Sequence, residues 1–239
     1  MDEREVVKGK TKVTTIILAA GRGTRMKLGK NKMFYKLRKP ILGHTLAVFE
    51  NHPEISNIII VANKNEITMC QEFVDRYEFL KVSNIVAGGE NRQESSYNGV
   101  RHCDQDTDII MIHDGARPFT AQETISRAIA DVKVYGVSVV GVPVKDTIKE
   151  SDGDFVRDTL DRSRLWQAQT PQTFRAGIIR EVHDRARVDR LVCTDDSSLA
   201  ERFGYPVKLT LGTYDNIKIT TPDDLLLAEK VFERAIYND

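Results

Sequence analysis

Short runs of apolar, largely β-branched residues alternate along the chain with stretches in which apolar positions recur every three or four residues. The runs are VTTIILA (13–19), NIIIVA (57–62), VSNIVA (82–87), DIIMIH (108–113), VSVVGVPV (137–144), PVKLTL (206–211) and NIKIT (216–220). Each is short and bounded by glycine or polar residues. Runs this continuously apolar predict strands buried on both faces, hence a largely parallel sheet with helices on either side. Between them, Ile67, Cys70, Phe73, Val74, Tyr77 and Leu80 keep near-helical spacing, as do Ile125, Ala128, Ile129, Val132 and Tyr135, with Gly136 ending the second series. A last helix is announced by Thr221 as N-cap, Pro222 at the first helical position, and Asp223 and Asp224 at the positive end of its dipole. The expected class is α/β, with a mostly parallel mixed sheet of about seven strands.

The segment DTIKESDGDFVRDTLDRSRLW (146–166) breaks the alternation. It reads as two extended runs joined by an Asp-Gly turn, a β-hairpin arm over about 145–168. Its Ile148, Phe155, Val156 and Leu160 need cover, and a lone two-stranded hairpin is marginal in water. Two covers are open: packing on a second subunit, which makes the protein a homodimer, or folding back on its own domain. There is no repeat, linker or low-complexity stretch, so residues 1–239 read as one domain.

Composition narrows the function by exclusion. The 239 residues include 35 Lys+Arg and 35 Asp+Glu, a formal net charge of +0, so no global field draws the protein to nucleic acid or anionic lipid. Any anion site must be local. Cys70, Cys103 and Cys193 lie far apart with no CxxC pair, which argues against a disulfide framework or a zinc site. No apolar run approaches the roughly 20 residues that span a bilayer, and a cytoplasmic protein is expected. The charged extension through Lys12 carries no reading of its own.

The local site announces itself in LAAGRGTRM (18–26), directly after the first strand. In an open α/β sheet ligands bind beyond the carboxyl ends of the strands. Gly21 and Gly23 let backbone approach a ligand closely there. The loop is not a P-loop, because GK[ST] is absent, and Met26 stands where a dinucleotide fingerprint needs its third glycine. The region about 20 residues on, Pro40 to Thr45, also lacks the carboxylate that a dinucleotide ribose requires. What the loop offers is charge: Arg22, Arg25, Lys27, Lys30 and Lys32, a set suited to a polyphosphate.

Taken in order, LAAGxGxRM with a following lysine, HDGARP, PVKDTIK, LDRSRLWQAQTPQTF, TDDSS and DNIKITTPDD span nearly the whole chain. The ordered set resembles the cytidylyltransferases that act on sugar-alcohol phosphates, and within them the 2-C-methyl-D-erythritol 4-phosphate cytidylyltransferase family of non-mevalonate isoprenoid synthesis. The resemblance implies a Rossmann-like nucleotidyltransferase fold of GT-A type, CTP as co-substrate, Mg²⁺ as cofactor, and 2-C-methyl-D-erythritol 4-phosphate as acceptor. Ribitol 5-phosphate is the alternative acceptor; that sister family usually reads LAGG at the first loop and lacks the tryptophan run. A nucleotide-binding regulatory module without catalysis is the non-enzyme alternative.

The implied chemistry is attack by a phosphate oxygen of the acceptor on the α-phosphorus of CTP. That nucleophile is already ionised at neutral pH, so a general base has little to do, and cations must neutralise and align the two anions. Carried over by resemblance, Arg25 and Lys32 stabilise the transition state, with Lys30 as the competing candidate and Arg22 left to solvent. Ala19, Ala20, Gly21 and Gly23 of the first loop, with Gly89, Glu90 and Ser95, take the nucleotide. Asp114, at the end of a strand, meets magnesium or ribose, and Lys218 completes the nucleotide set. Arg117, Thr147, Arg162, Thr170, Asp195 and Asp215 hold the sugar phosphate, with Thr147 and Arg162 serving the neighbouring subunit's site if the arm exchanges. Asp195 also suits a helix cap. His113 and Trp166 are expected to pack rather than react.

Overall fold

The computed structural model describes residues 10–21, 32–37 and 39–237, with the backbone alone at 32, 36, 37 and 235–237. In chain order the elements are β1 (Val13–Leu18), the short pair β2 (Lys36–Leu37) and β3 (Lys39–Pro40), α1 (Ile41–Glu50), β4 (Asn57–Ala62), α2 (Ile67–Tyr77), β5 (Val82–Ala87), α3 (Arg92–Arg101), β6 (Ile109–Asp114), α4 (Gln122–Tyr135), β7 (Val137–Pro143), β8 (Lys149–Asp152), β9 (Phe155–Thr159), β10 (Trp166–Arg175), α5 (Ala176–Val188), α6 (Asp196–Arg202), β11 (Lys208–Leu211) and α7 (Pro222–Tyr237).

Seven strands form one sheet in the order β11-β7-β10-β6-β1-β4-β5. All neighbours run parallel except β10, which is antiparallel to both β6 and β7. The alternation of side chains divides each central strand between two cores. Val13 and Ile17 of β1 and Ile58 and Ile60 of β4 face α1, α2 and α4, meeting Leu46, Phe49, Phe73, Ile125 and Ile129. Ile16, Leu18, Ile59 and Val61 face the other way, against Val100 of α3, Ile179 and Val182 of α5 and Leu199 of α6. Both faces are covered, as the continuous apolar runs require. No helix among the described residues is long and apolar enough to cross a membrane.

Two sequence expectations are corrected. NIKIT (216–220) is not a strand; its Ile217 and Ile219 pack with Leu225, Ala228 and Phe232 of α7, and its backbone bonds to the 114–120 loop through Ile219 N–H to the Ala116 carbonyl. The seventh strand is instead β10, whose sequence WQAQTPQTFR looks too polar for a sheet centre. Its buried Gln169, Thr170 and Gln172 are satisfied by side-chain hydrogen bonds, which removes the cost of burying them. Leu80 likewise falls beyond α2 and is exposed, because Glu78 turns left-handed at the helix C-cap.

The arm forms as expected: β8 and β9 pair antiparallel about the Asp152-Gly153 turn, and every residue of both strands is exposed. Phe155 is 80% and Val156 62% exposed. Thr221 caps α7, accepting the Asp224 N–H, while the Asp224 carboxylate receives the N–H groups of Thr220 and Thr221.

Helix α3 reaches the sheet through Gly99, where a Cβ would lie 2.5 Å from Ile16 Cγ2 and 3.0 Å from Val61 Cγ2. Alanine in a helix interior ordinarily gains about 1 kcal/mol over glycine, but overpacking here costs about 1–3 kcal/mol. Gly99→Ala is expected to lower Tm by several degrees in a thermal melt. A Tm equal to or above that of the parent contradicts this packing.

Candidate active site at the strand ends

The carboxyl ends of β1, β4, β5 and β6 lie along one rim of the sheet, with Leu18 in register with Val61 and Asp114, and Ala62 with Ala87. From β1 the chain moves to β4 and β5 on one side and later to β6 on the other, so the topological switch point lies between β1 and β6. Ala19, Ala20 and Gly21 leave β1 there. The loop after β5 meets them: a Cβ on Gly88 would sit 2.4 Å from Ala20 Cβ and 3.0 Å from Ser95 Oγ. Only a glycine permits that approach.

The 88–91 loop is held by its own helix. Ser95 Oγ accepts the Gly89 N–H at 3.1 Å, Glu94 Oε2 accepts the Glu90 N–H at 2.7 Å, and the Asn91 side chain caps α3 by accepting the Glu94 N–H. Ser95 and the Gly88 backbone thus lie close to Ala20, and Gly89 and Glu90 are bonded onto the first turn of α3. Gly23 and Arg25 lie outside the described residues. So do Arg22, Lys27 and Lys30. Lys32 is described by its backbone, in a short 3₁₀ turn, and the next residue, Met33, lies against Gly115, the neighbour of Asp114.

Asp114 ends β6 and is the centre of the rim. Lys218 Nζ is 2.7 Å from its Oδ2, Arg117 Nε 3.6 Å from the same oxygen, and Arg92 Nε 3.6 Å from Oδ1. Burial alone would raise the Asp114 carboxyl, but Lys218, Arg92 and Arg117 hold it well below the usual carboxylate range. The cations come from separate parts of the chain, and each is fixed in turn. Arg117 Nη1 donates to the Asn216 carbonyl at 2.7 Å. The Asn216 side chain donates to Gln169 Oε1 and to the Thr170 carbonyl and accepts from Thr120, so the segment carrying Lys218 is locked onto β10.

Beneath Asp114 runs a directed chain. His113 Nε2 lies 3.0 Å from the Arg117 carbonyl, which can only accept, so Nε2 carries the proton and Nδ1 accepts from Thr170 Oγ1 at 3.0 Å. Thr170 Oγ1 receives the Asp114 N–H at 3.0 Å. Burial pushes the His113 imidazole down to about 4, and its ring packs on Phe49 with centroids 4.8 Å apart. It is a neutral strut, not a base.

Other expected residues stand apart from this cluster. Asp195 caps α6, accepting the Ser198 N–H at 2.9 Å and Gln172 Nε2 at 2.7 Å. Asp215 pairs with Arg234 on α7. Thr147 and Arg162 are exposed on the arm; Arg162 donates to the Lys145 carbonyl, and no hydrogen bond or ion pair among the described residues joins either to Asp114. Trp166 is half-buried against Gly141. Arg92 and Asp196, which grips it, were not named from the sequence. Their signal was faint: an arginine in the first turn of a helix, where the dipole disfavours a cation.

Fold and rim together define an α/β protein of the nucleotidyltransferase fold. The 2-C-methyl-D-erythritol 4-phosphate cytidylyltransferase family model matches residues 13–234, and the chain belongs to that family. Relatives bearing that name include a Halalkalibacterium halodurans protein, 45% identical over 219 residues (91% of this chain and 96% of the relative). Another, from Geotalea uraniireducens, is 46% identical over 222 residues (91% and 95%). The crystal structure of 4-diphosphocytidyl-2C-methyl-D-erythritol synthase from Anaerococcus prevotii matches with a TM-score of 0.82 at 28% identity, covering 94% of this chain and 99% of that one. That of Thermus thermophilus 2-C-methyl-D-erythritol 4-phosphate cytidylyltransferase gives 0.77 at 27%, covering 92% and 98%.

The neutral His113 has a pH consequence. Between about 6.5 and about 4 the unfolded chain binds a proton at this imidazole that the folded chain does not, so stability falls as pH drops through that window, by roughly 3 kcal/mol in all. Urea midpoints at pH 7 and pH 4.5 should therefore differ less in His113→Gln than in the parent. Equal differences contradict the assignment.

Proposed function

We propose that the chain transfers CMP from CTP to 2-C-methyl-D-erythritol 4-phosphate, giving 4-diphosphocytidyl-2-C-methyl-D-erythritol and pyrophosphate. An oxygen of the acceptor phosphate forms a bond to the α-phosphorus of CTP, and the bond from that phosphorus to the α,β-bridging oxygen breaks. The observation that carries the reading is the convergence of Lys218, Arg92 and Arg117 on Asp114 at the switch point of the sheet, in a chain of this family. Ribitol 5-phosphate is not favoured, since the relatives bear the methylerythritol name.

In this reading the backbone of Ala19, Ala20 and Gly21 and the Gly89–Ser95 turn receive the cytidine, and Lys218 neutralises phosphate. Arg25 and Lys32 carry the transition-state charge. Arg117, Thr170, Asp195 and Asp215 belong to the acceptor side, with Thr147 and Arg162 reaching the neighbouring subunit's site from the arm. Among the described residues no group of three or more His, Cys, Asp or Glu side chains comes together to hold a metal. A lone carboxylate is the donor set that suits Mg²⁺ held chiefly by substrate phosphates and water. Asp114 would contribute that ligand only by giving up its ion pair with Lys218, whose ammonium would then turn to the phosphates. When bound, the ion neutralises charge on the triphosphate and the leaving pyrophosphate.

The reaction is tested by following pyrophosphate release from CTP and Mg²⁺ with either 2-C-methyl-D-erythritol 4-phosphate or ribitol 5-phosphate. Release with the former is expected, and exclusive use of ribitol phosphate overturns the substrate. Arg25→Ala and Lys32→Ala are each expected to lower kcat by about 100 to 1000-fold; parental rates in both remove them from the mechanism.

The arm supplies a separate test. Its exposed Phe155 and Val156 are the surface expected to pack on a second subunit. Light scattering should give a dimer for the parent and a monomer of reduced activity for Phe155→Asp. A monomeric parent defeats the arm-exchange reading.

A further inference from the structure

Behind Arg92 lies a second carboxylate. Asp196 opens α6 and is 1% exposed; its Oδ2 accepts from Arg92 Nη1 at 2.7 Å, and its Oδ1 lies 3.3 Å from His183 Nε2 on α5. Burial pushes the Asp196 carboxyl up, but Arg92 and His183 outweigh it and bring it down to about 2. Arg92 is the first residue of α3, at the positive end of the helix dipole, where a cation is disfavoured. It stays because it lies between two carboxylates from other elements, Asp196 of α6 and Asp114 of β6.

This places one side chain across two parts of the rim. Arg92 directly follows the 88–91 loop and faces Asp114 Oδ1 at 3.6 Å, so wherever it is held it fixes that loop relative to the end of β6. The hold is itself tied to the site. Gln172 Oε1 accepts the N–H groups of Asp196 and Ser197, each at 3.0 Å, and Gln172 lies on β10 two residues from Thr170, which receives the Asp114 N–H. The first turn of α6 and the backbone of Asp114 therefore take their positions from the same strand.

We propose that Asp196 is a positioning residue for the nucleotide, setting through Arg92 the span between the 88–91 loop and Asp114 into which cytidine triphosphate fits. It touches no reacting atom. Of the adjacent pair Asp195-Asp196, the first carboxylate is taken up in capping α6, and the second faces the rim. The inference rests on the nucleotide reading of this rim.

The test is a steady-state comparison of the parent with Asp196→Asn, Arg92→Lys and the double variant. Asp196→Asn keeps the shape and removes the charge; Arg92→Lys keeps the charge and cannot bridge. Each should raise KM for CTP by about 10 to 100-fold, the range of a lost charge-assisted contact. Each should change kcat and KM for the acceptor less than about threefold, and the double variant should be no worse than the worse single one. Ser198→Ala, which breaks the reciprocal cap of α6, should lower Tm by about 2 to 4 °C with KM for CTP unchanged, separating helix stability from positioning. Should Asp196→Asn fail to fold, Arg92→Lys decides. A parental KM in Arg92→Lys, or an effect of Asp196→Asn confined to Tm, overturns the inference. A parent that releases no pyrophosphate overturns the function itself.

Discussion

Asp114 is nearly shut off from water, and it remains ionised there because Lys218, Arg92 and Arg117 reach it from the 216–220 segment, the first turn of α3 and the loop just after β6. A buried carboxylate without such partners would take up a proton. With them it becomes a pin for distant pieces of chain. Breaking a buried pair by removing one partner typically costs about 3–5 kcal/mol, so the cluster constrains the fold as well as serving the rim. Its positive excess is also what a triphosphate needs from a chain whose overall charge is zero.

The neutral groups beneath Asp114 serve the same end. Thr170 and His113 form a chain in which every proton has one assigned place, leaving the backbone of Asp114 and Arg117 no freedom to drift. This explains why β10 carries polar residues through the middle of the sheet. Gln169, Thr170 and Gln172 are turned inward where the β10 register shifts between Ala168 and Gln172, and each bonds to a segment that frames the site. Preorganised dipoles and charges of this kind are what phosphoryl chemistry asks of a protein.

What could be read from the sequence follows from the same physics. β1, β4, β6 and β7 are legible because strands covered on both faces must be apolar throughout. The arm is legible from its Asp-Gly turn. β10 is not, because its polarity is cancelled by tertiary partners that no local window contains. NIKIT misleads for the opposite reason, its two isoleucines alternating like a strand while packing under α7. At the site, resemblance named Asp114, Lys218, Arg117 and Thr170, and the structure gathers all four. It did not name Arg92 and Asp196, whose salt bridge joins residues 104 positions apart and shows locally only as an arginine in the first turn of a helix.

The most direct measurement of the central claim, that cations gathered on Asp114 receive the triphosphate, is a calorimetric titration of CTP with Mg²⁺ into the parent and into Lys218→Ala. Loss of one charge-assisted contact should weaken binding by about 10 to 100-fold while the variant keeps a cooperative thermal melt. Parental affinity in a folded Lys218→Ala protein would contradict the account.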